Sequence, residues 1–183
     1  MKKAWTKTGL ASLSARVRLI ALILVVAWSL VGMAPRGALA AGTTYYVNNT
    51  NPSCSDSGSG TSAIPFCTIS KGAAVALTPG DTVNVVAGTY AETVYPAANG
   101  TSVAPITFHA QTGVTVTGDP AGFGSAFAVS ARSYVVIDGF NITQTKYKGI
   151  YVDSSNHITI TNNHVTYAGI NAGPDQHQQG IFV

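Results

Sequence analysis

From Val83 onward the chain is written in short runs that alternate apolar and polar residues, broken by Gly, Ser, Asn and Asp. Strict alternation over four to six residues is the pattern of a strand with one buried face. The runs also repeat. "AFAVSARSYVVIDGFNIT" (Ala126 to Thr143) lies on "GIYVDSSNHITITNNHVT" (Gly149 to Thr166) with an offset of 23 and no gap. Phe127 and Val129 then meet Ile150 and Val152, Val135 and Ile137 meet Ile158 and Ile160, and Ile142 meets Val165. One step back, "PITFHAQTGVTVTG" (Pro105 to Gly118) is set on Ala126 to Gly139 with an offset of 21. That places Ile106 and Phe108 on Phe127 and Val129, and Val114 and Val116 on Val135 and Ile137. "DTVNVVAG" (Asp81 to Gly88) supplies Val83 and Val85 for a first turn. "GIFV" returns 31 residues after "GIYV", one repeat plus eight inserted residues.

A period of 21 to 23 residues built from short strands marks a solenoid. One such coil cannot cover its apolar face from both sides. Coils stacked about 4.8 Å apart pair their backbones and bring equivalent side chains into columns. The fold expected is therefore all-β, a parallel β-helix. A leucine-rich repeat has similar length, but leucine is absent after Leu77, and a β-sandwich would not align with itself without gaps. The open end of a solenoid is an aggregation edge. "TISKGAAVALTPGD" (Thr68 to Asp81) predicts its cover: a short amphipathic helix with a Thr/Ser start, apolar Ile69, Ala73, Ala76 and Leu77, and a Pro79-Gly80 stop. No similar lid is written at the other end, where a strand starts at Gly180 and the chain stops at Val183. The expectation there is a fragment or truncated product of a longer solenoid.

The first 40 residues change the charge picture. Lys2, Lys3, Lys7, Arg16 and Arg18 precede a charge-free, mostly apolar stretch from Leu19 to Pro35, and "ALAAG" follows with small residues at Ala38 and Ala40. This is the pattern of a secretory signal cleaved after Ala40. The alternative is an uncleaved anchor, for which the charge-free run is slightly short. Three regions result: residues 1–40 as signal peptide, 41–80 as cap, and 81–183 as the first rungs. Residues 41–183 hold four basic and seven acidic residues, a formal balance of −3, so the basic overall pI belongs to the leader. No basic stripe is left for a nucleic acid, and no membrane contact is expected once the leader is gone. Cys54 and Cys67 close a 14-residue Ser/Gly-rich loop. In a secreted chain they read as a disulfide. Two thiols with no nearby His make only half a metal site.

"PFCTISKGAAVALTPGDTVNVVAGTYAETV", followed by "YVVIDGFNIT" and "GIYVDSSNHITITNNHV", resembles the start of secreted right-handed parallel β-helix proteins of the pectate-lyase-like fold. The resemblance is nearest to the family-nine polysaccharide lyases and their bacterial relatives. It covers roughly residues 44–183, and its cap-plus-"PGDTV…GTY.E" pattern is specific for the fold rather than for an activity. It implies an acidic polysaccharide such as pectate, or another glycan, as partner. It also implies β-elimination assisted by Ca²⁺ in a full-length parent. The alternative is a non-catalytic carbohydrate-binding or cell-surface β-helix.

Substrates of such folds lie along the outer face of one sheet. With Ile150 and Val152 inward, Tyr151 and Asp153 point outward. The same columns are expected to hold Thr107 and His109, then Ala128 and Ser130, then Phe182. Tyr151 and Phe182 would sit one rung apart as a stacking platform for a sugar, or simply as sheet formers. Lys146 and Lys148 precede that strand and could meet a uronate carboxylate, or be solvated. The inserted loop "AGINAGPDQHQQG" adds Asp175 and His177 as hydrogen-bonding groups, or as a solvated connector. No catalytic set is legible. Ca²⁺ takes six or more oxygens, and the aspartate cluster and lysine of family-nine lyases have no match here. A glycosidase needs two carboxylates about 5–9 Å apart, and Asp153 is the one outward strand carboxylate in these rungs. The doublet Asn162-Asn163 marks a tight bend, since Asn tolerates left-handed backbone.

Overall fold

In a computed structural model, which describes residues 41–170 and 179–183, the chain is a parallel β-helix with one short helix. Twelve strands occur among the described residues: β1 (Thr44–Val47), β2 (Thr82–Val85), β3 (Gly88–Tyr90), β4 (Ile106–Ala110), β5 (Val114–Val116), β6 (Phe127–Ser130), β7 (Ser133–Asp138), β8 (Asn141–Thr143), β9 (Ile150–Asp153), β10 (Asn156–Thr161), β11 (His164–Thr166) and β12 (Ile181–Phe182). The helix α1 (Ile69–Val75) lies between β1 and β2. All strand pairs are parallel, in three sheets. Sheet A has the order β1-β2-β4-β7-β10, sheet B β3-β5-β8-β11, and sheet C β6-β9-β12. Three coils give one strand to every sheet: β4-β5-β6, β7-β8-β9 and β10-β11-β12. Before them, β2 and β3 make a coil that touches sheet C only through a bridge from Val94 to Phe127.

The interior follows from the register. Sheet A carries the inward column Tyr45–Val83–Phe108–Ile137–Ile160. Sheet B carries Tyr90–Val116–Ile142–Val165, and sheet C carries Val94–Phe127–Ile150–Ile181. Phe127 is fully buried and meets Phe108 and Phe140 edge-on, with ring centroids 5.7 and 4.9 Å away. The offset of 23 therefore holds residue for residue. The offset of 21 does not. Ile106 and Phe108 stack on Val135 and Ile137 of sheet A, and Val116 stacks on Ile142 of sheet B. Both strands of that segment belong one sheet away from where alternation alone had set them.

Corners recur with the same 23-residue period. Ala131 and Ser154, Tyr134 and His157, Gly139 and Asn162, and Gln144 and Tyr167 all have positive φ. Asn162 adopts φ 53° where the coil below uses glycine. Its neighbour Asn163 reaches down one rung, accepting from Phe140 N–H at 2.9 Å and donating to the Ile137 carbonyl at 2.8 Å. This satisfies bend groups that the sheet ladders leave free.

The helix covers the first coil. Thr68 is its N-cap, with Oγ1 accepting from Lys71 N–H. Gly72 lies against the core: a Cβ there would come 2.6 Å from Val83 Cγ1. Ile69, Ala73 and Ala76 are buried as expected, but Leu77 is exposed, because the helix ends at Val75 and the chain turns outward. The predicted cap segment also contains β1, itself a strand of sheet A. Carboxylates fix this region. Glu92 accepts from Ile69 and Ser70 N–H at 2.8 Å each. Asp56 accepts from Cys67 and Thr68 N–H, and buried Asp81 from Thr43 and Thr78 N–H. Cys54 and Cys67 form the disulfide. Among the described residues no helix is long and apolar enough to cross a membrane.

Candidate functional site

The outer face of sheet C gathers the aromatic residues. Gly149 opens β9. A Cβ at that position would lie 2.4 Å from the Gly180 carbonyl oxygen and from Val165 Cγ1, so the close approach of coils at the strand start requires glycine. Ile150 and Val152 then point inward, and Tyr151 and Asp153 outward. Phe182 stands one rung away, its ring parallel to that of Tyr151 within 8° at 5.4 Å. At that separation near-parallel rings are offset-stacked, so each gives part of one face to the other.

Two further aromatics join them. Phe123 packs edge-on against both Tyr147 (4.9 Å) and Tyr151 (5.4 Å). Phe123 sits on the loop between β5 and β6, which is ten residues long where the equivalent β8–β9 connection has six. That lengthening, with Phe123 bracketed by Gly122 and Gly124, is the signal by which sequence reasoning could have found it. It moves the register offset from 23 at β6 to 26 at β5, and a longer β4–β5 turn moves it to 29 at β4. Tyr147 is tilted against Tyr151 at 6.2 Å.

The two lysines have different roles. Lys148 is buried. Its ammonium lies 3.6 Å from the Phe182 ring centroid, 5.1 Å from Tyr147 and 5.8 Å from Tyr151, and donates to Gln179 Oε1 at 3.0 Å. A cation held this way ties the rings together through their π faces. Lys146 is exposed and borders a hollow of about 630 Å³ with Thr117, Gln144 and Ile170. It is the cation of the pair that is open to solvent.

Asp153 is exposed, accepting weakly from Ser130 and Ser154 hydroxyls at 3.5 and 3.2 Å. Ala128 and Ser130 do share its columns. Thr107 and His109 do not: they pair with Val136 and Asp138 on sheet A, for the register reason given above. His109 Nδ1 is 2.8 Å from Asp138 Oδ2 there, and Asn162 Nδ2 donates to Asp138 Oδ1 at 2.8 Å. The hydrogen bonds from Asn162 and then His109 hold the Asp138 carboxyl below its ordinary range. Asp175 and His177 lie outside the described residues. Among the described residues no three His, Cys, Asp or Glu side chains converge as metal ligands. With Asp56, Asp81 and Glu92 used in the cap, the side-chain carboxylates left among the described residues are Asp119, Asp138 and Asp153, on separate elements. Comparison with protein-family models and with curated protein sequences yields no match.

Proposed function

We propose that this chain is a secreted parallel β-helix that contacts an acidic polysaccharide of the pectate kind. The observation that carries the reading is the outer face of sheet C. Three aromatic rings surround a buried ammonium, Phe123 packs edge-on against two of them, and the exposed amine of Lys146 lies on the adjoining turn. Ring edges and faces offer apolar contact to sugar C–H groups, and an exposed ammonium offers a carboxylate a charge-assisted hydrogen bond. The sequence resemblance to family-nine lyases and the disulfide suit the same reading.

Elimination is a further step that asks for more. A Ca²⁺ ion would neutralise a uronate carboxylate, but Asp153 accepts from two serine hydroxyls, and among the described residues no three acidic, His or Cys side chains converge. These residues do not fit a Ca²⁺ site, so their role in this reading is binding. The test is retention of the protein in a gel containing polygalacturonate, against a neutral glucan gel, with and without Ca²⁺. Selective retention that Lys146→Ala weakens supports the proposal. Equal mobility in all gels refutes it. Release of unsaturated uronate by the protein itself would replace binding with catalysis.

A further inference from the structure

We propose that the outer face of sheet A is a second saccharide site, separate from sheet C and selective for neutral sugars. Tyr134 and His157 occupy equivalent positions on β7 and β10, both at positive φ (55° and 53°), which sets their rings outside the coil. The rings are stacked 4.4 Å apart within 14°. His157 Nδ1 lies 2.7 Å from the amide oxygen of Asn156. That oxygen only accepts, so Nδ1 carries a proton and Nε2 is the ring nitrogen left for a ligand. His157 is exposed, leaving imidazole for an apolar sugar face.

Beside the stack is a hollow of about 290 Å³, near the lower size of ligand pockets. Thr101 and Thr159 are among its walls. The Thr101 hydroxyl is fully buried and has no hydrogen-bond partner among the described residues. A buried hydroxyl without a partner is costly; the hydroxyls that a ligand in the hollow can reach are those of Ser102 and Thr159, which line it and are exposed. Four residues along β7, about 13 Å at the usual strand rise, Asp138 holds His109 by Nδ1 and leaves the Nε2 atom of that imidazole outward. The face therefore has a ring platform at one end and a carboxylate–imidazole pair at the other.

Charge decides the ligand class. On the outward columns of sheet A among the described residues, Asp138 is the one Asp, Glu, Lys or Arg. A carboxylate accepts from sugar hydroxyls and repels uronates, sulfates and phosphates. A neutral oligosaccharide lying along β7 and β10 matches this face, whereas Lys146 favours acidic ones on the other. The argument uses no residue of sheet C, so the two readings fail separately.

The experiment is an amide NMR titration of the protein with neutral tetrasaccharides (gluco-, manno- and xylo-configured) and with tetragalacturonate. A saturable shift at Tyr134, Val136, His157 and Thr159 with a neutral tetrasaccharide, unaffected by Tyr151→Ala, is expected. Thr159→Val and His157→Asn should each weaken it about fivefold, the loss of one hydrogen bond of about 1 kcal/mol. Asn keeps the left-handed backbone tolerable, so the second variant retains the fold. No saturable shift at sheet A with any neutral sugar overturns the proposal. So does equal or tighter binding of tetragalacturonate there, or wild-type affinity in both variants.

Discussion

Replacing Phe127 by Ala tests whether the coils share one interior. The ring is fully buried, stands between Val94 and Ile150 in the sheet C column, and touches Phe108 from sheet A and Phe140 from the β7–β8 corner. It is thus the point where all three sides of the tube meet. Phe→Ala at a packed site costs about 3–5 kcal/mol, from lost burial plus the cavity left behind. Collapse into that cavity is resisted on two sides by strand pairing to Val94 and Ile150, so the upper half of the range, about 4 kcal/mol, is expected. Domains have only about 5–15 kcal/mol in total. With a urea slope of about 2 kcal/mol/M, the midpoint should fall by roughly 2 M. Far-UV circular dichroism in a urea series measures it, since strand content reports the coil directly. Tyr151→Ala, on the same sheet but outward, is the control and should change stability by less than about 1 kcal/mol. If both variants shift the midpoint equally, or Phe127→Ala shifts it by less than a quarter of the stated amount, the shared interior is wrong.

Three other outcomes are expected. Reducing the Cys54–Cys67 disulfide should lower stability by about 3 kcal/mol, the loop-closure value for a ring of this size, read as the difference in urea midpoint with and without reductant. The Asp138 carboxyl has a folded pKa below its unfolded one, so the stability it contributes is present above the ordinary carboxylate range and lost as pH falls through the folded value; Asp138→Asn should flatten that acid limb in a pH series of thermal melts, and an unchanged limb would contradict the Asn162 and His109 contacts. Removing the Tyr151 ring should reduce polygalacturonate retention about two- to tenfold, the worth of one aromatic contact of about 0.5–1.5 kcal/mol, with retention measured by affinity electrophoresis of a variant whose melting curve matches the wild type.

The solenoid was legible because a gap-free offset of 23 leaves no freedom: every inward residue of one coil names its neighbour in the next. Ile150, Ile158 and Val165 are placed by Phe127, Val135 and Ile142 alone. The lid was legible too, since a Thr68 cap is local chemistry, although the helix ends at Val75, short of the expected Pro79-Gly80 stop. The coil before was misplaced for a physical reason. Alternation has period two in any sheet, so it says which side chains point inward but not which wall they belong to. Only connection lengths say that, and the β4–β5 turn and the loop bearing Phe123 are each, counted by register, three residues longer than their counterparts in the next coil, so the offset is 29 at β4 and 26 at β5 instead of 23. His109 moved with it, from the column of Ser130 and Asp153 to beside Asp138.

What the sequence left open lies on the outside, where nothing forces coils to be equivalent. Lys148 reads in one dimension as a charge in a turn. Only the stacking of coils puts Phe182 over its ammonium and makes it a buried tie between rings. Tyr134 and His157 likewise read as unremarkable residues at the start of alternating runs, until the left-handed corner turns both out into one stack. In each case the pairing partner is 23 or more residues away, in the next coil. The interior repeats because burial demands the same apolar column on every rung. The exterior is free to differ between walls, so chemistry on this fold is read by asking which outward residues share a column, never which are adjacent in the chain.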